Sequence, residues 1–215
     1  MKNETEKRIL SSIIIVPIAL FFILKGSFFF VFFMSVFFLV TSYEWYQMSK
    51  KKEYLYPGII FLIFSSYATL LLRGNNDENL LTFLIVILIC VSTDLGGYIF
   101  GKIFKGPKLT KISPNKTYAG MFGGYFLSII LVNIFMNYSH SLGITNSRDF
   151  TQETLVIILL ISSVSQIGDL IISYFKRLSK IKNTGKLLPG HGGLLDRVDG
   201  LIFAVPFAYI LFKFI

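Results

Sequence analysis

Cysteine is almost absent from this chain. Among 215 residues only Cys90 carries a thiol, which excludes an internal disulfide and leaves Cys90, set in an apolar run, as a small buried hydrophobe. Charge is scarce too. Charged residues make up 15%, where a soluble domain is roughly a quarter charged. The balance is taken by 53% hydrophobic and 16% aromatic residues, and the mean hydropathy is +0.66. One globule of this size cannot hide so much apolar side chain without a greasy surface. The same figures exclude disordered, collagen-like and disulfide-rich classes. An integral membrane protein remains: an all-α, polytopic helical bundle forming one domain over residues 1–215. There is no internal repeat, low-complexity linker or soluble domain boundary.

Acidic residues are also few, 12 against 21 basic, for a net charge of +9. In a soluble protein that excess suggests nucleic acid. Here the basic residues sit between apolar runs, as membrane topology and anionic lipid headgroups require, so no nucleic acid is expected. A span needs about 20 apolar residues, and seven segments qualify: Ile9–Leu24, Phe28–Met48, Pro57–Leu72, Leu80–Phe100, Tyr118–Tyr138, Glu153–Phe175 and Gly200–Ile215. The first, third and last are short and would need Arg8, Arg73 or Lys213 to snorkel to the interface. The first follows Lys7-Arg8 but lacks a small-x-small cleavage site, so it reads as a retained helix. With the N-terminus cytoplasmic, 17 of the 21 basic residues fall in inside loops and only Lys25, Arg73, Arg148 and Lys213 outside. That split predicts seven spans with an inside N-terminus.

Three acids lie within spans, where a charge is costly and normally faces a partner or a cavity. They are Glu44, Asp94 and Asp169. Glu44 reads mainly as a polar contact between helices. Asp94 shares a helical face with Gly97, Tyr98 and Gly101, a small-residue groove that admits either a backbone or a ligand. Ser162, Ser165, Asp169, Ser173 and Lys176 draw a polar stripe along one helix, either the wall of a wet cavity or hydrogen-bonded serine packing. The next loop reads Pro189-Gly190-His191-Gly192-Gly193-Leu194-Leu195-Asp196-Arg197-Val198-Asp199-Gly200. Its glycines allow backbone N–H groups to wrap an oxyanion. Asp196 and Asp199, beside Asp169, have the chemistry for a hard divalent cation. A helix start flanked by solvated aspartates is the other reading. A second basic loop, Lys111 to Gly120, brings Lys116 and Thr117 near a helix N-terminus, where phosphate oxygens find donors.

With those residues in view, the sequence resembles the CDP-diacylglycerol synthases, the phosphatidate cytidylyltransferases. The resemblance rests on Ser173, Lys176-Arg177, Lys182-Asn183, Pro189, His191-Gly192-Gly193, Asp196-Arg197 and Asp199, with Gly168-Asp169-Leu170 upstream. Asp94, Gly97-Tyr98, Gly101-Lys102 and Ile112-Ser113-Pro114-x-Lys116-Thr117 extend it over most of residues 94–200. The chain departs from the family pattern at two positions, with Asn183 for the usual Asp and Ala119 for the usual Glu.

The resemblance implies that a phosphatidate oxygen attacks the α-phosphorus of CTP, giving CDP-diacylglycerol and pyrophosphate at the cytoplasmic face of the membrane. It implies catalytic roles for Asp169, Asp196, Asp199, Lys176 and His191. Substrate contacts fall to Asp94, Lys102, Ser113, Lys116, Thr117, Arg177, Gly192, Gly193 and Arg197. Mg²⁺ would be held by Asp169 and Asp196; a second, monovalent cation and a homodimer stay open. Two rivals have other signatures. A CTP-dependent lipid-alcohol kinase would release CDP instead of pyrophosphate. An anion or lipid transporter would carry polar residues into the outer half of the bundle, whereas these cluster in the cytoplasmic half.

Overall fold

A computed structural model of the chain describes residues 2–110, 112–142, 150–185 and 192–214, with side chains in the first helix at Ile13 and from residue 15 onward. Within these residues the chain is helical, in the order α1 (Lys2–Lys25), α2 (Ser27–Ser49), α3 (Leu55–Arg73), α4 (Asp77–Phe104), α5 (Tyr118–Ser141), α6 (Gln152–Leu178), α7 (Leu195–Val198) and α8 (Leu201–Phe214). Every expected span coincides with one of these helices. Five of them, α2 to α6, are long and apolar enough to cross a membrane. The apolar part of α1, Ile15–Lys25, and α8 are shorter. At 1.5 Å per residue, the 14 residues of α8 reach about 21 Å, less than a hydrocarbon core of about 30 Å.

Local sequence explains where the helices start. Asn76 accepts from the Asn79 N–H at 3.1 Å, with Asp77 and Glu78 in the first turn of α4. Thr117 and Thr151 cap α5 and α6 in the same way. Such side chains satisfy N–H groups that the first turn cannot pair, and acids there suit the helix dipole.

The closest packing joins α4 to α5. A Cβ built on Gly96 would collide with the Gly123 carbonyl, and one on Gly120 would lie 2.7 Å from the Gly97 oxygen. The face containing Gly97 and Gly101 therefore receives the backbone of α5, and the groove read from sequence is filled by a helix. Arg73 also differs from expectation. It does not snorkel outward: it is buried and donates from Nε to the Ile23 carbonyl at 2.9 Å and from Nη2 to that of Leu24. A cation is favoured there because the last carbonyls of α1 are unpaired.

At the opposite end a second core gathers Trp45, Met48, Leu62, Ile172, Leu195 and Ile202. Trp45 donates to the Leu55 carbonyl at 3.1 Å, and Tyr54 shares a 2.7 Å hydrogen bond with Ser179. These contacts fix the α2–α3 turn against the end of α6. The loops after α4 and α6 emerge at this same end.

Candidate active site

Two lysines and four aspartates meet where these loops converge. Lys116, just before α5, forms an ion pair with Asp169 of α6. Two turns further along α6, Lys176 pairs with Asp196 Oδ1 at 2.9 Å and lies 3.8 Å from Asp199 Oδ2. Ser173 donates to Asp169 Oδ1 at 3.4 Å. Asp94 lies within electrostatic reach of Asp169, Lys116 and Arg197. The carboxyls of Asp169 and Asp199 are within hydrogen-bonding reach of each other. Burial foremost, and Asp169 next, push the Asp199 carboxyl well above the usual carboxylate range, against the pull of Lys176.

The polar stripe on α6 divides in two. Its deeper part packs helices: Ser162 is fully buried and shares a 2.7 Å hydrogen bond with Thr93 of α4, and Ser165 is buried against Gly200. Only Asp169, Ser173 and Lys176 reach the charged cluster. Asp196, expected to share a cation with Asp169, has both oxygens taken by donors. Oδ1 receives Lys176, and Oδ2 accepts the N–H groups of Thr184 at 2.8 Å and Gly193 at 3.0 Å. The carboxylate that faces Asp169 is that of Asp199.

Glu44 supplies what sequence reading missed. Buried on α2, it accepts from Thr184 Oγ1 at 2.9 Å and from the N–H groups of Leu194 and Leu195, each at 2.8 Å. It binds the glycine-rich loop and the first turn of α7 to the bundle. A charge within a span was the only signal of this in the sequence, and its partners lie about 140 to 150 residues away. Gly192 has φ +90°, a conformation that favours glycine. A Cβ on Gly193 would strike Thr184 Oγ1 and Glu44 Oε2. Both glycines are thus needed for the loop's path.

The other expected residues are less central. Thr117 uses its hydroxyl to cap α5. Ser113 receives a cap from Thr110 and accepts the Lys116 N–H through its carbonyl at 3.1 Å, tightening the turn that presents Lys116. Lys102 stands over the Tyr98 ring, 5.6 Å from its centre. Arg177 is exposed, near Ile112 and Pro114. His191 lies outside the described residues, as do Pro189 and Gly190.

A model of the cytidylyltransferase family matches residues 6–73 and 59–215. The chain belongs to the cytidylyltransferase family. It is 38% identical over 157 residues to the phosphatidate cytidylyltransferase of Brucella suis biovar 1 (strain 1330), covering 71% of this chain and 54% of that protein. To the phosphatidate cytidylyltransferase of Rickettsia bellii (strain RML369-C) it is 35% identical over 215 residues, covering 98% and 91%. The same enzyme of Rickettsia felis (strain ATCC VR-1525 / URRWXCal2) is 36% identical, covering 98% and 93%. The chain thus spans about half the length of the Brucella relative and nearly all of the two Rickettsia relatives. Family membership fits a site rich in both carboxylates and lysines at one end of a membrane bundle.

Proposed function

We infer that this protein transfers the cytidylyl group of CTP to phosphatidate, releasing pyrophosphate and leaving CDP-diacylglycerol in the membrane. The observation that carries this reading is the meeting of Lys116 and Lys176 with Asp94, Asp169 and Asp199 where the α4–α5 and α6–α7 loops join the bundle. One substrate is a lipid and the other is dissolved, and such an end is open to both. The phosphatidate oxygen forms a bond to the α-phosphorus of CTP as the bond to the pyrophosphate oxygen breaks. The attacking oxygen is already anionic, so no protein nucleophile is needed. Catalysis rests on alignment and charge neutralisation.

Each side chain has a task in that scheme. Lys116 and Lys176 are placed to move from their carboxylates onto phosphate oxygens, and Arg197 is within electrostatic reach of Asp94. Asp169 and Asp199 suit Mg²⁺: two close carboxyls, one of them buried, are the hard oxygen donors that ion takes alongside substrate phosphates. When bound, the ion supplies electrostatic stabilisation of the leaving pyrophosphate. Asp196 serves instead as the anchor that orients Lys176 and the loop. The 17-to-4 distribution of basic residues supports seven spans and a cytoplasmic site.

The test is purified protein in vesicles with labelled CTP and phosphatidate, with and without Mg²⁺. Labelled CDP-diacylglycerol and free pyrophosphate are the expected products. Release of CDP with a phosphorylated lipid would replace this reading with a lipid kinase. For orientation, a reporter active only in the cytoplasm should be silent when fused after Ile215, and activity there would revise the span count.

A further inference from the structure

An apolar groove runs into the bundle from the charged end. It has a volume of about 460 Å³ and is walled by α1, α2, α3, α4 and α8. Its mouth is formed by Leu194, Arg197 and Val198, which belong to or adjoin α7. At the far end of its α2 wall stand Phe30 and Phe83, whose rings meet edge to face 5.8 Å apart. Met34 and Ile202, both buried, line the walls between. Its inner wall comes from the core of the bundle, whereas Val16, Leu20, Val36 and Val91 on the same lining are exposed, so the groove is open along one side of the bundle. Among the described residues, Arg197 is the one charged residue on its lining, and it interacts electrostatically with Asp94 of the candidate active site.

We propose that this groove holds one acyl chain of the phosphatidate substrate, with Phe30 and Phe83 setting the length it accepts. The inference rests on the proposed cytidylyl transfer and assigns its lipid substrate a binding place. Three features commit it to that occupant. The groove is lined mainly by apolar side chains, with Ser65, Ser66, Thr69 and Arg197 the exceptions, which suits a hydrocarbon chain and not a nucleotide. It opens beside Arg197, a cation suited to a phosphate headgroup. Arg197 and Val198 on its lining stand between Asp196 and Asp199 in the chain, so a lipid seated there has its headgroup end next to that cluster.

The dimensions fit a single chain. Lining residues on α2 run from Phe30 to Val40, and ten residues of helix rise about 15 Å. An extended covalent chain covers roughly 1.2 Å per bond, since three bonds of an extended peptide span about 3.5 Å. The groove therefore takes about 12 bonds before a chain meets Phe30 and Phe83.

A photoreactive phosphatidate, carrying a terminal diazirine on a dodecanoyl chain, tests the assignment in phosphatidylcholine vesicles with the full-length protein. Labelling is expected on Phe30, Met34 and Phe83, reduced at least tenfold by excess unlabelled phosphatidate and unchanged by more phosphatidylcholine. Labels spread over bilayer-facing residues such as Phe28, Tyr98 and Phe122, or labels that phosphatidate does not displace, would overturn it. Ser66→Phe places a ring in the groove wall. It should lower kcat/KM for didodecanoyl phosphatidate at least tenfold relative to the dihexanoyl lipid, with KM for CTP within twofold of the parent. Equal losses for both lipids would count against the groove. Selective labelling without formation of CDP-diacylglycerol would sink the proposed reaction and leave the groove standing. Transfer without groove labelling would do the reverse.

Discussion

Glu44 is the most telling residue to change, because its carboxylate joins α2 to the loop that carries Asp196 and Asp199. Replacing it by Ala leaves the N–H groups of Leu194 and Leu195 without their acceptor at a buried site. The Thr184 hydroxyl can turn to another partner, but the two amides cannot. Each stranded buried donor costs about 1–3 kcal/mol, so Glu44→Ala should lose about 4 kcal/mol. For a chain of this size that is a fall of roughly 8–16 °C in melting temperature. Glu44→Gln keeps the shape. Its amide must still present an NH₂ group to Leu194 or to Leu195, because they bond different oxygens. One lost bond to a charged acceptor is about 2 kcal/mol. Activity should fall further than stability, by about a hundredfold, because misplacing reacting groups by about 1 Å costs that much. Melting in detergent and cytidylyl transfer by the same preparations provide the two readouts, with Glu53→Gln in the neighbouring turn as a silent control. If Glu44→Ala melts within about 3 °C of the parent and keeps more than half its turnover, the anchoring argument is wrong.

The two acids of the expected metal pair should behave differently. Asp169→Asn removes a charge but little volume, and should cost two to three orders of magnitude in turnover, on the scale of a lost electrostatic stabiliser, with a raised Mg²⁺ requirement and near-parental melting. Asp196→Asn should chiefly lower the melting temperature, since Lys176 and two backbone N–H groups lose their carboxylate; a Mg²⁺ series and a melting curve on each variant separate the cases. Gly193→Ala forces a methyl onto Thr184 and Glu44 and should cost about 1–3 kcal/mol by overpacking, visible as early unfolding together with lost transfer. Gly96→Ala should abolish recovery of folded protein because its Cβ meets the α5 backbone. Gly97→Ala, whose nearest neighbour would be 3.7 Å away, should purify and melt like the parent; equal recovery of both would contradict the close α4–α5 packing.

The helices were readable because span length and apolar runs are local properties of the chain. Their ends were less legible: the apolar runs gave Leu80–Phe100 and Glu153–Phe175, whereas α4 and α6 run over Asp77–Phe104 and Gln152–Leu178. Asn76 and Thr151 cap polar first turns, and the last turns carry Lys102 and Lys176-Arg177. Partnership was not legible. Nothing near Gly97 and Gly101 tells whether a ligand or a helix fills their groove; the answer lies in Gly120, Gly123 and Gly124, and becomes visible only once α4 and α5 are antiparallel neighbours. Arg73 shows the same limit, since its targets are carbonyls some 50 residues earlier and carry no side-chain signal. Within the site, the identity of the acids was legible but their division of labour was not. Asp196 and Asp199 are three apart and look equivalent on a helical face. The loop's path separates them, by aiming the amides of Thr184 and Gly193 at one and Asp169 at the other.

That separation bears on the charge balance of the site. Asp94, Asp169, Asp196 and Asp199 meet Lys116, Lys176 and Arg197, so the cluster holds four acids against three bases, and Asp199 is biased toward its protonated form. Without substrate the cluster is therefore near neutrality, which is what a partly buried group of charges needs in order to fold. On the proposed reaction, CTP and phosphatidate would then bring several negative charges to the same place. Lys116 and Lys176 cannot neutralise phosphates without releasing Asp169 and Asp196, so each lysine that turns to substrate exposes a carboxylate. Asp196 keeps two backbone donors when Lys176 leaves, whereas Asp169 keeps, among the described residues, the long contact to Ser173 and the neighbouring Asp199 carboxyl. On that reading the uncompensated charge would gather on Asp169 beside Asp199, where the charge of the proposed Mg²⁺ would restore the balance.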